Sequence, residues 1–301
     1  MTADLQLAID EAVGRFGPFG AAYPIFLAPP AGREVVPAQE LLSAARLPDF
    51  FNRAILEWTA RPQDEDVRAA ASRFARRYCG SVAAAALIPL AHGVAVDVQL
   101  DRLAFVIRTE MPMGVVLSMD SDAVTVSGDR PTRWPLGGQD TGSAWVLRDQ
   151  ALTSLVRDNL APAFERILAT AHVSMKLLWS TAAEQIDMLY ENGVDDPDQA
   201  RQAAQAEDRD AILFGPRLPG HPGPNPMLDL LTWETVDDPD FPRPLQVRRI
   251  CCINYVVPGR QAYCRTCGLL RADERLALWR SWKASAAGSS PQVDGEATGP
   301  G

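Results

Sequence analysis

Four of the chain's five cysteines, Cys251, Cys252, Cys264 and Cys267, fall in the stretch "RRICCINYVVPGRQAYCRTCGLL" from Arg248 to Leu270. Four thiolates held together carry four negative charges, which a fold tolerates only with a cation to neutralise them or with oxidation to disulfides. Three chemistries fit the spacing C-C-x11-C-x2-C: a structural zinc, an iron–sulfur cluster, or a thiol–disulfide pair. The C-x2-C half serves all three, because two cysteines three apart on a turn chelate one metal atom.

The adjacent pair discriminates among them. In a strand, neighbouring side chains point to opposite faces, so Cys251 and Cys252 meet one tetrahedral ion only if the backbone kinks. A binuclear cluster offers two irons and accepts less regular donors. The spacing therefore ranks an iron–sulfur cluster ahead of zinc, and zinc ahead of a redox disulfide. The fifth cysteine, Cys79 in "RRYCGSV", reads as a small buried apolar residue.

Charge is distributed unevenly around these residues. The chain carries −9, yet from Phe241 to Lys283 nine Arg and Lys face only Asp273 and Glu274. That segment is +7 and the remainder −16, which opposes approach to nucleic-acid backbones. A solvated arginine-rich helix accounts for Arg275, Arg280 and Lys283. Arg248, Arg249, Arg260 and Arg265 are interleaved with the cysteines instead, and are candidates for tuning a bound group or docking an anion.

The elements that must position these groups follow from periodicity. At 301 residues with an apolar fraction of 47%, the chain can bury a substantial core. Helical patterns run through "PAQELLSAARL", "PDFFNRAILEWTA" and Glu65 to Leu90, and return over Leu147–Leu168, His172–Glu191 and Asp196–Leu213. Between them "VAVDVQL", "LAFVIRT", "GVVLSM" and "AVTVS" predict an antiparallel meander of three or four strands. Five prolines in "GPRLPGHPGPNP" exclude a regular element and leave a linker or packed loop. "PRPLQVRRICCINYVV" reads as an extended strand and "RADERLALWRSWKA" as an amphipathic helix with Leu276, Trp279 and Trp282 on one side.

The expected fold is α+β, mostly helical, with a small antiparallel sheet and a C-terminal iron–sulfur strand–loop–helix segment. The expected division is 1–240 as a helical α+β domain, 241–283 as the cysteine segment and 284–301 as a disordered tail. No window reaches the ~18 uninterrupted apolar residues of a membrane span, and the acidic amphipathic start "MTADLQLAIDEAVGRF" lacks a secretory leader's pattern. The expectation is a cytoplasmic protein with at most peripheral membrane contact.

Several enzyme fingerprints are missing. There is no G-x-G-x-x-G, no G-x-x-x-x-G-K-[ST], no G-x-S-x-G and no H-E-x-x-H. His92, His172 and His221 lie far apart, and His92 reads as a core or turn histidine. Asp97, Asp101, Glu110 and Glu165 read as ordinary surface carboxylates, so no catalytic acid is assigned.

The arginine pair in "RRICC", the closing "CRTC" and the leucine pair "GLL" resemble the C-terminal segment of the FhuF-type ferric siderophore reductases. "MKLLWSTAAEQI", Met175 to Ile186, is similar to that family's helix with its Leu-Trp signature. The resemblance implies one [2Fe-2S] cluster per chain, ligated by Cys251, Cys252, Cys264 and Cys267. It further implies a ferric siderophore as substrate, bound by the 1–240 domain, and a separate electron donor such as a ferredoxin or ferredoxin reductase; the chain itself is expected to be a monomer. The spacer departs from the family's C-C-x10-C-x2-C by one residue, which a turn at Pro258-Gly259 absorbs. Siderophore synthetases share a related domain, but they are longer and need an ATP site that this sequence does not display. The remaining alternative is a zinc-stabilised binding module with a basic C-terminal face.

Overall fold

A computed structural model describes residues 2–56, 64–108, 111–117, 124–126, 139–140, 143–192, 198–241, 243–256 and 263–288. The protein is α+β and mostly helical. Its helices are α1 (Thr2–Gly14), α2 (Gly17–Ala22), α3 (Ala38–Leu41), α4 (Arg46–Leu56), α5 (Asp64–Ala91), α6 (Ala144–Leu155), α7 (Ala161–Ala171), α8 (Met175–Asn192), α9 (Gln199–Leu213) and α10 (Ala272–Gly288).

The long helix α5 is the axis of the molecule. From Ala69 through Leu90 most of its side chains are buried, because its many alanines let neighbouring elements approach on nearly every side. Phe74 and Tyr78 on this helix gather Phe50, Phe51 and Phe105 into one aromatic cluster. Helix α8 is its main partner, and Tyr23, which follows α2, spans the two: Tyr23 OH donates to Gln185 Oε1 at 2.8 Å. A side chain at Gly80 would strike the Tyr23 ring at 2.2 Å, so this crossing requires glycine.

The strands are β1 (Ile25–Phe26), β2 (Glu34–Pro37), β3 (Val94–Val96), β4 (Leu103–Arg108), β5 (Met111–Leu117), β6 (Val124–Val126), β7 (Gln139–Asp140), β8 (Leu231–Glu234) and β9 (Leu245–Arg248). The four Val-rich runs all form strands, but not one meander. β4 and β5 pair in a sheet of order β1-β5-β4-β2, whereas β3 and β6 belong to a second sheet of order β3-β6-β7. β1 lies parallel to β5 and β7 parallel to β6, so these sheets are mixed.

Helices α6 and α7 are joined by one π turn, Val156–Leu160. Pro162, just beyond it, has no N–H to continue the α pattern. The turn places the amide of Asn159 in the core, where it accepts from Tyr78 OH at 2.7 Å and donates to Val98 O at 2.6 Å. The proline-rich stretch is a packed loop: Asn225 Nδ2 donates to the carbonyls of Ile212 and Gly215, and Leu218 and Met227 are buried.

The C-terminal segment departs from the expected long strand. β9 ends at Arg248, and Ile253 takes a left-handed φ of 53° before a 3-10 turn over Asn254–Val256. Helix α10 continues to Gly288, and the rest of the expected tail, 289–301, lies outside the described residues. Among the described residues, no helix is long and apolar enough to cross a membrane.

Candidate functional site

The cysteine segment is anchored through a buried carboxylate. Glu184, near the middle of α8, is fully buried and accepts from Arg248 Nη1 at 2.9 Å and Thr266 Oγ1 at 2.6 Å. Arg76 of α5 approaches Oε1, the oxygen that Thr266 also reaches, at 3.6 Å. Burial pushes the Glu184 carboxyl up, but Arg76, Arg248 and the Thr266 hydroxyl more than offset this and hold it below its usual value. One carboxylate therefore ties α5, α8, β9 and the Cys264–Cys267 turn together.

One turn further along α8, Asp187 repeats the device. It accepts from Gln246 Nε2 at 2.6 Å and Trp233 Nε1 at 3.1 Å and pairs with Arg209. The spacing of three places both carboxylates on the α8 face that meets the β8–β9 hairpin.

Two further contacts seat the cysteines. Arg248 N donates to Thr266 O at 2.8 Å, which pins the Cys264–Cys267 turn to β9. Ser72 Oγ on α5 donates to the Cys252 carbonyl at 2.6 Å. Gly268 completes the seat, since a Cβ there would lie 2.2 Å from Arg248 O.

Cys252 and Cys264 come together with their Sγ atoms 3.6 Å apart. Ile253 N donates to Cys251 Sγ at 3.3 Å, so the left-handed residue turns its amide back onto that thiol. The backbone is thus kinked next to the adjacent pair rather than extended through it. Within the close pair, the hydrogen bond from Cys264 and the nearby Arg248 draw the Cys252 thiol down to about 6 despite its burial, while Cys264 is pushed up by Cys252 and by burial. Cys251 is raised by burial, with Cys252 and Cys267 adding repulsion. All five cysteines are free, and Cys79 is a buried thiol held well above its ordinary value by desolvation.

The Cys252–Cys264 pair fits a thiolate-bound metal group. Two thiolates on one tetrahedral metal at about 2.3 Å lie roughly 3.8 Å apart, close to the Cys252–Cys264 separation. Arg248 and Arg76 supply positive charge beside them. Among the described residues, no group of three or more Cys, His, Asp or Glu side chains already converges as a complete cage.

A cavity of about 800 Å³ opens beside Cys252. Arg73, Arg76 and Arg77 of α5 line it, together with Arg243, Arg248 and Arg265. The cavity's lining residues come from both sides of residue 240, the boundary expected between the first domain and the cysteine segment, and the charged ones are mainly arginine.

Of the four arginines singled out in the sequence, Arg248 and Arg265 line the cavity. Arg249 is exposed, and its backbone N–H donates to Leu230 O. Arg260 lies outside the described residues. Arg275 and Arg280, expected on a solvated helix, pair with Glu234 and Asp238. Arg73, Arg76, Arg77 and Glu184 were missed. The first three recur at i, i+3 and i+4 in "RFARRYCG", a spacing that marks one helical face.

The histidines stand apart from the cysteines. His92 closes the turn after α5, and His172 is the left-handed cap that ends α7 rather than the start of α8. His221 meets Trp179 edge-to-face in the proline-rich loop. Of the four carboxylates, Asp97 is bound to Ser154 and Arg102, Asp101 and Glu165 are exposed, and Glu110 lies outside the described residues.

Residues 72–237, more than half of the chain, match the FhuF family, described as ferric iron reductase FhuF-like transporter. The chain belongs to this family. The match takes in Ser72, the three α5 arginines and the whole of α8, and it ends before the four clustered cysteines. No curated protein matches the chain. Among solved structures it is similar to the aerobactin synthetase IucC from a hypervirulent pathotype of Klebsiella pneumoniae, at 9% identity and a TM-score of 0.46. That likeness covers 66% of this chain and 36% of the synthetase, so the chain spans little more than a third of that enzyme's length.

Proposed function

We propose that the protein reduces a ferric siderophore by one electron and so releases Fe(II), using a [2Fe-2S] cluster held by Cys251, Cys252, Cys264 and Cys267. The observation that carries this reading is that Cys252 forms part of the wall of the 800 Å³ cavity while its Sγ lies 3.6 Å from that of Cys264. A group held by these thiols borders a volume of small-molecule size. Membership of a ferric iron reductase family supports the same reading.

When bound, a [2Fe-2S] centre supplies one-electron chemistry. The overall reaction takes one electron from a ferredoxin or ferredoxin reductase and converts Fe(III) in the chelate to Fe(II). Hard oxygen donors hold Fe(III) far more tightly than Fe(II), so the chelate loosens on reduction.

The chain's own residues give this chemistry its setting. Glu184, Thr266 and Gly268 fix the cysteine turn against β9, and Ser72 fixes Cys252 against α5. Arg248, Arg76 and Arg265, whose charges act on the thiols or on Glu184 beside them, favour the more negative of two redox states and raise the reduction potential. The reading places the protein in the cytoplasm as a monomer, with residues 241–283 as the electron-transfer segment.

The test is anaerobic turnover with a ferredoxin-type donor and an Fe(II)-trapping dye. Cys264→Ser and Cys252→Ser should abolish release of Fe(II). Wild-type rates in both variants would show that the cysteines do not carry the electron.

A further inference from the structure

The cavity is basic within an acidic protein. Six guanidines line it, whereas Glu191 and Asp240 are its only lining carboxylates among the described residues. The chain as a whole carries −9, so composition does not account for this concentration. Like charges around one volume repel, and a fold retains them where an anion is to be received.

Several of the six also have partners within the protein: Arg76 and Arg248 pair with Glu184, and Arg265 lies over the Trp279 ring at 4.7 Å. Even so, Nε of Arg248 is buried and has no hydrogen-bond acceptor among the described residues. Arg77 lies over the Tyr23 ring at 5.8 Å and has no carboxylate partner among the described residues. Arg73 stands one turn before it on the same helix. Arg243 approaches from the segment before β9, where its side chain reaches the Glu191 carbonyl at 3.5 Å. Burial, and then repulsion from Asp187, push the Glu191 carboxyl up to about 7, so it offsets the guanidines less than an ordinary carboxylate would.

Resting on the reductase reading above, we propose that the cavity takes an anionic ferric chelate, with carboxylate or catecholate oxygens, in preference to neutral or cationic tris-hydroxamate chelates. A guanidinium fork matches paired anionic oxygens and binds them through two charge-assisted hydrogen bonds. A neutral chelate would desolvate the same guanidines without providing countercharge, and that penalty is what separates the two classes. Phe241 and Trp279, packed edge-to-face, add apolar wall to the cavity.

The experiment is calorimetric titration of the intact, metal-loaded protein with gallium(III) chelates. Gallium(III) has the charge of iron(III) and a similar size but is not reduced, so binding is read without turnover. The probes are a gallium(III) tris-catecholate, gallium(III) citrate and a neutral gallium(III) tris-hydroxamate. At least one anionic probe should bind roughly tenfold tighter than the neutral one, with affinity falling as salt rises. Whichever anionic probe wins identifies the oxygen type. Arg77→Gln and Arg243→Gln should each weaken that probe by about threefold to tenfold and leave the neutral one unchanged.

A neutral probe bound as tightly as the anionic ones, no binding of any probe, or variants without effect would each overturn the proposal. Its fate separates from that of the reductase reading. An anionic iron(III) chelate that binds but is not reduced removes the reductase and keeps the site; reduction with preference for neutral chelates does the reverse.

Discussion

Arg248 and Glu184 meet at 2.9 Å with both side chains almost wholly removed from solvent, and the cysteine segment hangs on this pair. Arg248 is the last residue of β9 and Glu184 lies 64 positions earlier on α8. Neither is a cysteine neighbour by accident of sequence: the same carboxylate also accepts from Thr266, which stands between Cys264 and Cys267.

Removing one partner leaves an uncompensated buried charge, which costs about 3–5 kcal/mol. Arg248→Met and Glu184→Leu should each lower the free energy of unfolding, read from urea titration, by that amount, and the double variant should recover much of the loss. Additive losses in the double variant would show that the two side chains act independently.

Gly268 is expected to resist substitution. The added methyl of Gly268→Ala meets the Arg248 carbonyl, so the Cys264–Cys267 turn must move away from β9. The variant should retain the helical far-ultraviolet signal but lose bound metal. Wild-type metal content would show that the turn accommodates the methyl group.

Glu191 gives the folded state a pH dependence. Its carboxyl is raised from 4.5 to about 7, so between those values the folded chain binds more protons than the unfolded chain. Stability contributed by this group is present below about pH 4.5 and is lost as pH rises through 7. Glu191→Gln should therefore gain on the wild type between pH 5 and pH 8 in urea unfolding. Parallel curves would place Glu191 in an ordinary solvated setting.

Ser72 tests the seat of Cys252. Its hydroxyl donates to the Cys252 carbonyl in a buried position, so Ser72→Ala leaves that acceptor unsatisfied at a cost of about 1–3 kcal/mol. The loss should appear as faster alkylation of Cys252 in the metal-free protein. Unchanged alkylation would mean that the loop holds itself.

The local patterns were legible in the sequence and the long-range pairings were not. Alternating Val and Ile residues mark β3 to β6, but nothing in them shows that β4 and β5 pair with each other while β3 takes β6, because the flanking strands β1, β2 and β7 are only two to four residues long. The four cysteines marked a candidate site. The kink beside them depends on Ile253, a β-branched residue in a left-handed conformation that sequence rules assign to glycine or asparagine. Charge counting drew attention to the C-terminal arginines, yet several of these pair with carboxylates. The cavity's basic wall comes in large part from α5, where an arginine face was read as part of a plain helix.

The most direct test is the ultraviolet–visible spectrum of anaerobically purified protein, taken together with iron, sulfide and zinc analysis. The account predicts a reddish-brown sample with charge-transfer bands bleached by dithionite, and about two irons and two sulfides per chain. A colourless protein with one stoichiometric zinc would contradict it and would make the four cysteines a structural clamp.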